Sequence, residues 1–130
     1  MEDIRWQQRL ENFSKSLRLL EKGINQSQLD ELQRAGLVQF FEMAFELSWK
    51  MMKDYLQSQG FQDIRSPRDA IKKTFEIGLL SDGKIWLKGL EDRNLTAHTY
   101  NEKTAEEVDL LIRDVYYPRF IELERTFTKL

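Results

Sequence analysis

Cysteine is absent from the 130-residue chain, and histidine occurs once. The first absence excludes a disulfide framework and thiolate zinc sites; the second excludes a histidine-rich metal centre. Any bound metal would be a carboxylate-held ion such as Mg²⁺, and no cofactor is expected. No apolar run approaches the length of a membrane span, so no membrane association is expected. The opening Met1-Glu2-Asp3-Ile4-Arg5 is acidic and lacks an apolar signal region, which gives a cytoplasmic location as the expectation. There is no excess of positive charge either. A formal net charge of −2 and a pI near 5.5 exclude nucleic-acid binding by bulk electrostatics, so any nucleotide or RNA contact must be local.

Only two prolines and six glycines interrupt an apolar pattern that is helical nearly throughout. Trp6, Leu10, Phe13, Leu17 and Leu20 recur at intervals of three and four. They predict a first helix from about Ile4 to Lys22, with Gly23 as its C′ residue. Ser27 is the expected N-cap of the longest helix, about Gln28 to Gln59, closed by Gly60. The middle of that helix, Leu37 to Met52, is apolar around most of its circumference. It is the hub of the core, and a dimer face is its second use. Glu46 lies in a narrow polar stripe four residues before Lys50, and the spacing assigns it to a solvated ion pair.

Ser66-Pro67-Arg68-Asp69 starts a third helix that runs to Gly78, and Ser81 or Asp82 starts a fourth through Trp86 and Leu90. The last helix begins near Asn101 or Thr104, and Pro118 is expected to kink or break it near Tyr116-Tyr117. The expected architecture is all-α, an antiparallel up-and-down bundle of four to five helices in a single domain over residues 1–130.

One stretch gathers the chemistry: Arg93-Asn94-Leu95-Thr96-Ala97-His98-Thr99-Tyr100. It holds a permanent cation, a hydrogen-bonding amide, the lone histidine and a phenol. The set suits phosphate chemistry, and it equally suits a polar helix junction. On one uninterrupted helix Arg93 and His98 would lie roughly 140° apart around the axis and would not face a common ligand. They converge if the helix ends between them, and Asn101 as a cap allows such a break. Arg93 could then grip a phosphate and His98 exchange a proton, and in a symmetric dimer each of the paired chains would bring its histidine to one cleft.

Arg93-Asn94-x-x-x-His98-x-Tyr100 resembles the Arg, polar residue, spaced His, x, Tyr motif of the HEPN superfamily. Phe45-Glu46-Leu47-Ser48-Trp49-Lys50, Ser66-Pro67-Arg68-Asp69, Gly78-Leu79, Trp86 to Asn94 and Thr104-Ala105-Glu106-Glu107 are similar, in order, to its nucleotidyltransferase substrate-binding protein branch. The resemblance implies a helical homodimer that pairs with a separate minimal (MNT) nucleotidyltransferase chain as a heterotetramer. It implies a substrate-binding subunit that takes a nucleotide- or phosphate-containing ligand at Arg93, Asn94, His98 and Tyr100. The alternative that it implies is a metal-independent RNase toxin using Arg93 and His98, with Asn94 orienting, regulated by AMP transfer to Tyr100. The sequence has no Gly-Ser followed by paired aspartates, so nucleotide transfer itself is expected of the partner.

Overall fold

A computed structural model describes residues Ile4–Leu130; the acidic opening at Met1-Glu2-Asp3 lies outside them. The apolar spacing winds the chain into α1 (Arg5–Ile24), α2 (Glu31–Ser58), α3 (Pro67–Glu76) and α4 (Gly83–Asp92). A short 3-10 helix (Arg93–His98) follows, then α5 (Glu102–Leu110), a π-helical segment (Leu111–Tyr116) and α6 (Tyr117–Thr128). Because α5, the π segment and α6 join end to end, the chain packs as the expected all-α bundle, and among the described residues there is no strand.

The hub is α2. It buries Leu37, Phe41, Phe45, Met51, Met52 and Leu56, and α1 contributes Phe13, Leu17 and Leu20 to the same core. Each such side chain contributes about 1.5–3 kcal/mol by leaving water. An aromatic cluster ties the hub to the later helices. Phe45 lies 5.9 Å from Trp86 of α4, and Phe41 lies 5.5 Å from Tyr116 and 5.9 Å from Phe120 between ring centroids. This cluster lies directly beneath the end of α4.

Helix boundaries follow local chemistry, with two departures from the sequence expectation, at Gly23 and Ser27, and an irregularity at the expected place before Pro118. Gly23 is not a C′ residue; it lies inside α1, where a Cβ would come within 2.8 Å of Leu37 Cδ1. Its missing side chain serves the close approach of α1 to α2 rather than a left-handed turn. Ser27 does not cap α2. Asp30 does, accepting from the Gln33 N–H at 2.7 Å while Gln33 Oε1 accepts from the Asp30 N–H at 3.0 Å. That reciprocal box satisfies two free donors where Ser27 would satisfy one. Near Tyr116-Tyr117, where Pro118 is expected to kink or break the last helix, α geometry does give way, but to a π turn rather than a break: the Tyr117 N–H donates to Ile112 O, five residues back. Proline offers no N–H and crowds the preceding turn, and the wider π turn takes up that misfit. Gly60 (φ 91°) and Gly78 (φ 86°) do close α2 and α3 in the left-handed region.

Candidate functional site

The α4 helix stops at Asp92 because its end is clamped. Gly89 lets the helix lie so close to the core that a Cβ there would meet Phe45 Cε2 at 2.7 Å and Tyr116 Cε1 at 3.1 Å. The Tyr116 hydroxyl donates to Asp92 Oδ2, and Lys88 Nζ lies 3.1 Å from Asp92 Oδ1. Burial first, then the Asp92 hydrogen bond and the Asp92 and Glu91 charges, push the Tyr116 phenol well above its ordinary value of 10.0. It is therefore a fixed donor, and Asp92, with a side chain only 10% exposed, is a fixed acceptor directly before Arg93.

Beyond Asp92 the helix tightens instead of ending between Arg93 and His98. In a 3-10 helix of three residues per turn, five steps leave Arg93 and His98 roughly 120° apart, whereas Arg93 and Thr96 share a face. The break thus falls at Arg93 itself and does not turn the two side chains toward each other. Arg93 points to α2: Nη1 lies 3.6 Å from Glu46 Oε2, and the guanidinium sits 5.8 Å from the Phe45 ring centroid. Glu46 also pairs with Lys50 at 3.2 Å and accepts from Trp49 Nε1 at 3.0 Å. The expected ion pair is present, and Glu46 serves the motif as well. Burial raises the Glu46 carboxyl, but the hydrogen bonds from Trp49 and Lys50 and the charges of Lys50 and Arg93 outweigh it, so its pKa falls below 4.5.

The other motif residues face outward. Asn94 and His98 are exposed, and the His98 ring stands 6.0 Å from the Tyr100 ring, edge to face. Tyr100 is 86% exposed. The turn that carries it is closed by the Asn101 N–H, which donates to His98 O at 3.1 Å, and Asn101 Oδ1 accepts from the Lys103 N–H at 3.0 Å to cap α5.

Two open grooves run along α2 beneath this junction. One, about 670 Å³, is lined by Gln39, Glu42, Met43, Glu46, Arg93 and Thr96. The second, about 860 Å³, is lined by Arg34, Thr99, Tyr100 and Glu102 among others, and the two share Ala35 and Val38. The ends of the motif therefore face neighbouring grooves on one helix. Sequence reasoning missed Asp92, Tyr116 and Arg34. Asp92 adjoins the motif and was open to notice, but its partner Tyr116 is 24 residues away and has no local signal. Among the described residues no three acidic or histidine side chains gather into a group suited to a metal ion.

Fold and junction together define a helical bundle of HEPN type, carrying the motif between α4 and α5. Residues 8–129 match the family described as nucleotidyltransferase substrate binding protein like, and the chain belongs to that family. A relative named probable ribonuclease HepT, from Haemophilus influenzae, is 37% identical over 84 residues. That stretch is 62% of this chain and 58% of the relative, so the chain matches less than two thirds of the relative's length. The crystal structure of a protein from Thermus thermophilus superposes with a TM-score of 0.73 at 30% identity, covering 90% of this chain and 96% of that one.

Proposed function

We propose that the chain is the substrate-binding partner subunit of a separate minimal nucleotidyltransferase, which it meets with its Arg93–Tyr100 end as a homodimer within a heterotetramer. The observation that carries this reading is presentation: Tyr100 is 86% exposed on a turn closed by the Asn101 N–H to His98 O hydrogen bond and followed directly by the Asn101 cap of α5. An aromatic side chain left outside the core, on a hydrogen-bonded junction, is suited to being read by another chain. The family description supports the same role. A phosphate-containing ligand engages Arg93 bidentately, with Asn94 and His98 as hydrogen-bonding neighbours, once Glu46 yields or shares the guanidinium.

The surroundings of Tyr100 also fit it as an acceptor of a nucleotidyl group. Its phenol oxygen attacks the α-phosphate of ATP held by the partner, pyrophosphate leaves, and the phenol proton passes to a base of the partner or to water. Incubating the pair with ATP and mapping the product by mass spectrometry tests this. The expected result is AMP on Tyr100, absent in Tyr100→Phe. An unmodified Tyr100 with an active partner removes the acceptor role.

A second reading, a metal-independent endoribonuclease acting through Arg93 and His98, is favoured by the relative named probable ribonuclease. The roughly 120° between these side chains on the 3-10 helix makes it a reaction of two chains, Arg93 of one facing His98 of the other. There His98 takes the proton from a ribose 2′-hydroxyl as that oxygen attacks the adjacent phosphorus, Arg93 stabilises the phosphorane charge, and the P–O5′ bond breaks to leave a 2′,3′-cyclic phosphate and a 5′-hydroxyl that takes its proton from the His98 imidazolium or from water. RNA cleavage in the presence of a chelator, abolished by His98→Ala with helicity intact, supports it; no cleavage at high protein concentration removes it.

A further inference from the structure

Most arginines of the bundle are spoken for. Arg9, Arg18, Arg65, Arg93, Arg113 and Arg119 each have a carboxylate within 3.6 Å. Arg34, in the first turn of α2, is different. Its Nε is shielded from solvent and has no hydrogen-bond partner among the described residues. The Asp30 carboxylate close to it in the chain is occupied with the helix cap. A guanidinium N–H that is dry and unpaired is unfavourable until an acceptor reaches it, and the best acceptors are anionic and planar or tetrahedral oxygens.

Arg34 is the only basic side chain among those lining the 860 Å³ groove, and that groove also carries Tyr100. The remaining walls are of two kinds. Leu29, Ala35, Val38 and Ala105 give an apolar floor, and the Tyr100 ring stands at its edge. Asp30, Glu31 and Glu102 give an acidic rim. All three are exposed, so water weakens their repulsion of an anion, and the Asp30 carboxylate is already engaged by the Gln33 N–H. The same carboxylates can accept hydrogen bonds from ribose hydroxyls. A cation at one place, an apolar floor with an aromatic edge, and acceptors on the rim match the phosphate, base and sugar of one nucleotide.

We infer that the groove between the first turns of α2 and residues 99–105 binds a nucleotide, with its phosphate on Arg34. The site is distinct from Arg93, which faces the neighbouring groove and is already paired with Glu46. Arg113 marks the contrast: its guanidinium is held by Asp109 at 3.0 Å and by Ile24 O at 2.7 Å, and it has a structural task. The inference rests on the partner-subunit reading only for the source of the nucleotide, which is either free in solution or the nucleotidyl group carried on Tyr100.

Calorimetric titration of the full chain with AMP and with adenosine tests it, because the two differ only in the phosphate. AMP is expected to bind about tenfold or more tightly than adenosine, and Arg34→Gln to reduce AMP to the adenosine level. Arg34→Lys retains part of the difference, and Arg65→Gln, which changes an exposed arginine paired with Asp63 outside both grooves, leaves it intact. Equal binding of AMP and adenosine, or undiminished AMP binding by a folded Arg34→Gln chain, overturns the inference. So does loss of AMP binding in Arg93→Gln alone, which moves the phosphate to the other groove and keeps the partner-subunit reading. Absence of AMP binding at millimolar concentration overturns it too, and leaves that reading to be judged by complex formation. A chain carrying AMP on Tyr100 identifies the source: free AMP excluded from it shows the attached group filling the groove, and free AMP still bound assigns the groove to the free nucleotide.

Discussion

The Tyr116 hydroxyl donates to the carboxylate of Asp92, and Asp92 is the last residue of α4 before Arg93. A buried phenol in the π segment thus fixes the point at which the α-helix gives way to the 3-10 junction. Tyr116→Phe removes the donor and leaves Asp92 with Lys88 alone. We expect a loss of about 1.5–3 kcal/mol in urea unfolding, the range for a hydrogen bond to a charged group. Hydrogen exchange at residues 93–98 should speed up more than exchange in α1.

The same pair gives a pH dependence with a definite sign. The Tyr116 phenol is raised above 10.0 in the fold, by burial first and by Asp92 second. The unfolded chain therefore loses this proton before the folded chain does. The stability contributed is complete below pH 10 and is lost as pH rises through the folded value. Urea midpoints measured from about pH 9 to pH 11 should fall, and the fall should be shallower in Tyr116→Phe.

Glu46→Gln separates stability from function. The Arg93–Glu46 pair is half exposed, at 34% and 44% for the two side chains, so its removal should cost less than about 1 kcal/mol. Because the Glu46 carboxyl is lowered from 4.5, its contribution is present above that value and disappears as pH falls through the folded value. The released Arg93 should bind inorganic phosphate more tightly than in the wild type, read from its guanidinium N–H resonances in a phosphate titration.

Gly89→Ala tests the seating of α4. The added methyl carbon would lie 2.7 Å from Phe45 Cε2 and 3.1 Å from Tyr116 Cε1, both parts of packed rings. Overpacking of this kind costs about 1–3 kcal/mol, and the near-ultraviolet circular dichroism of the Phe45–Trp86–Tyr116 cluster should change with it.

Asn101→Ala removes the cap of α5, where Asn101 Oδ1 accepts from the Lys103 and Thr104 N–H groups. The expected cost is about 0.5–2 kcal/mol. Tyr100, fixed on its C-terminal side by this cap, should gain backbone mobility in relaxation measurements.

Much of this architecture was legible in the sequence, because it is written in short-range patterns. Ser66-Pro67 and Asn101 act as the caps that their side chains predict, and Gly60 and Gly78 close the helices that precede them. The wide apolar middle of α2 is the core hub for the reason that its composition gives. What escaped depends on neighbours distant in sequence. Gly23 looks like a helix end until Leu37 is seen against it, and Glu46 looks like a surface ion pair until Arg93 arrives from the end of α4. Ser27 lost to Asp30 within three residues, because only Asp30 has Gln33 at the reciprocal position. The motif was legible as a set of residues, but its division between two grooves was not, since that follows from the 3-10 winding that Asp92 and Tyr116 impose.

The partner-subunit reading is tested most directly by mixing the purified chain with the nucleotidyltransferase encoded beside it and measuring the mass of the eluted species by size-exclusion chromatography with light scattering. The expected result is one peak with the mass of the heterotetramer. Two peaks, each with the mass of one component alone at concentrations well above those in a cell, would contradict it.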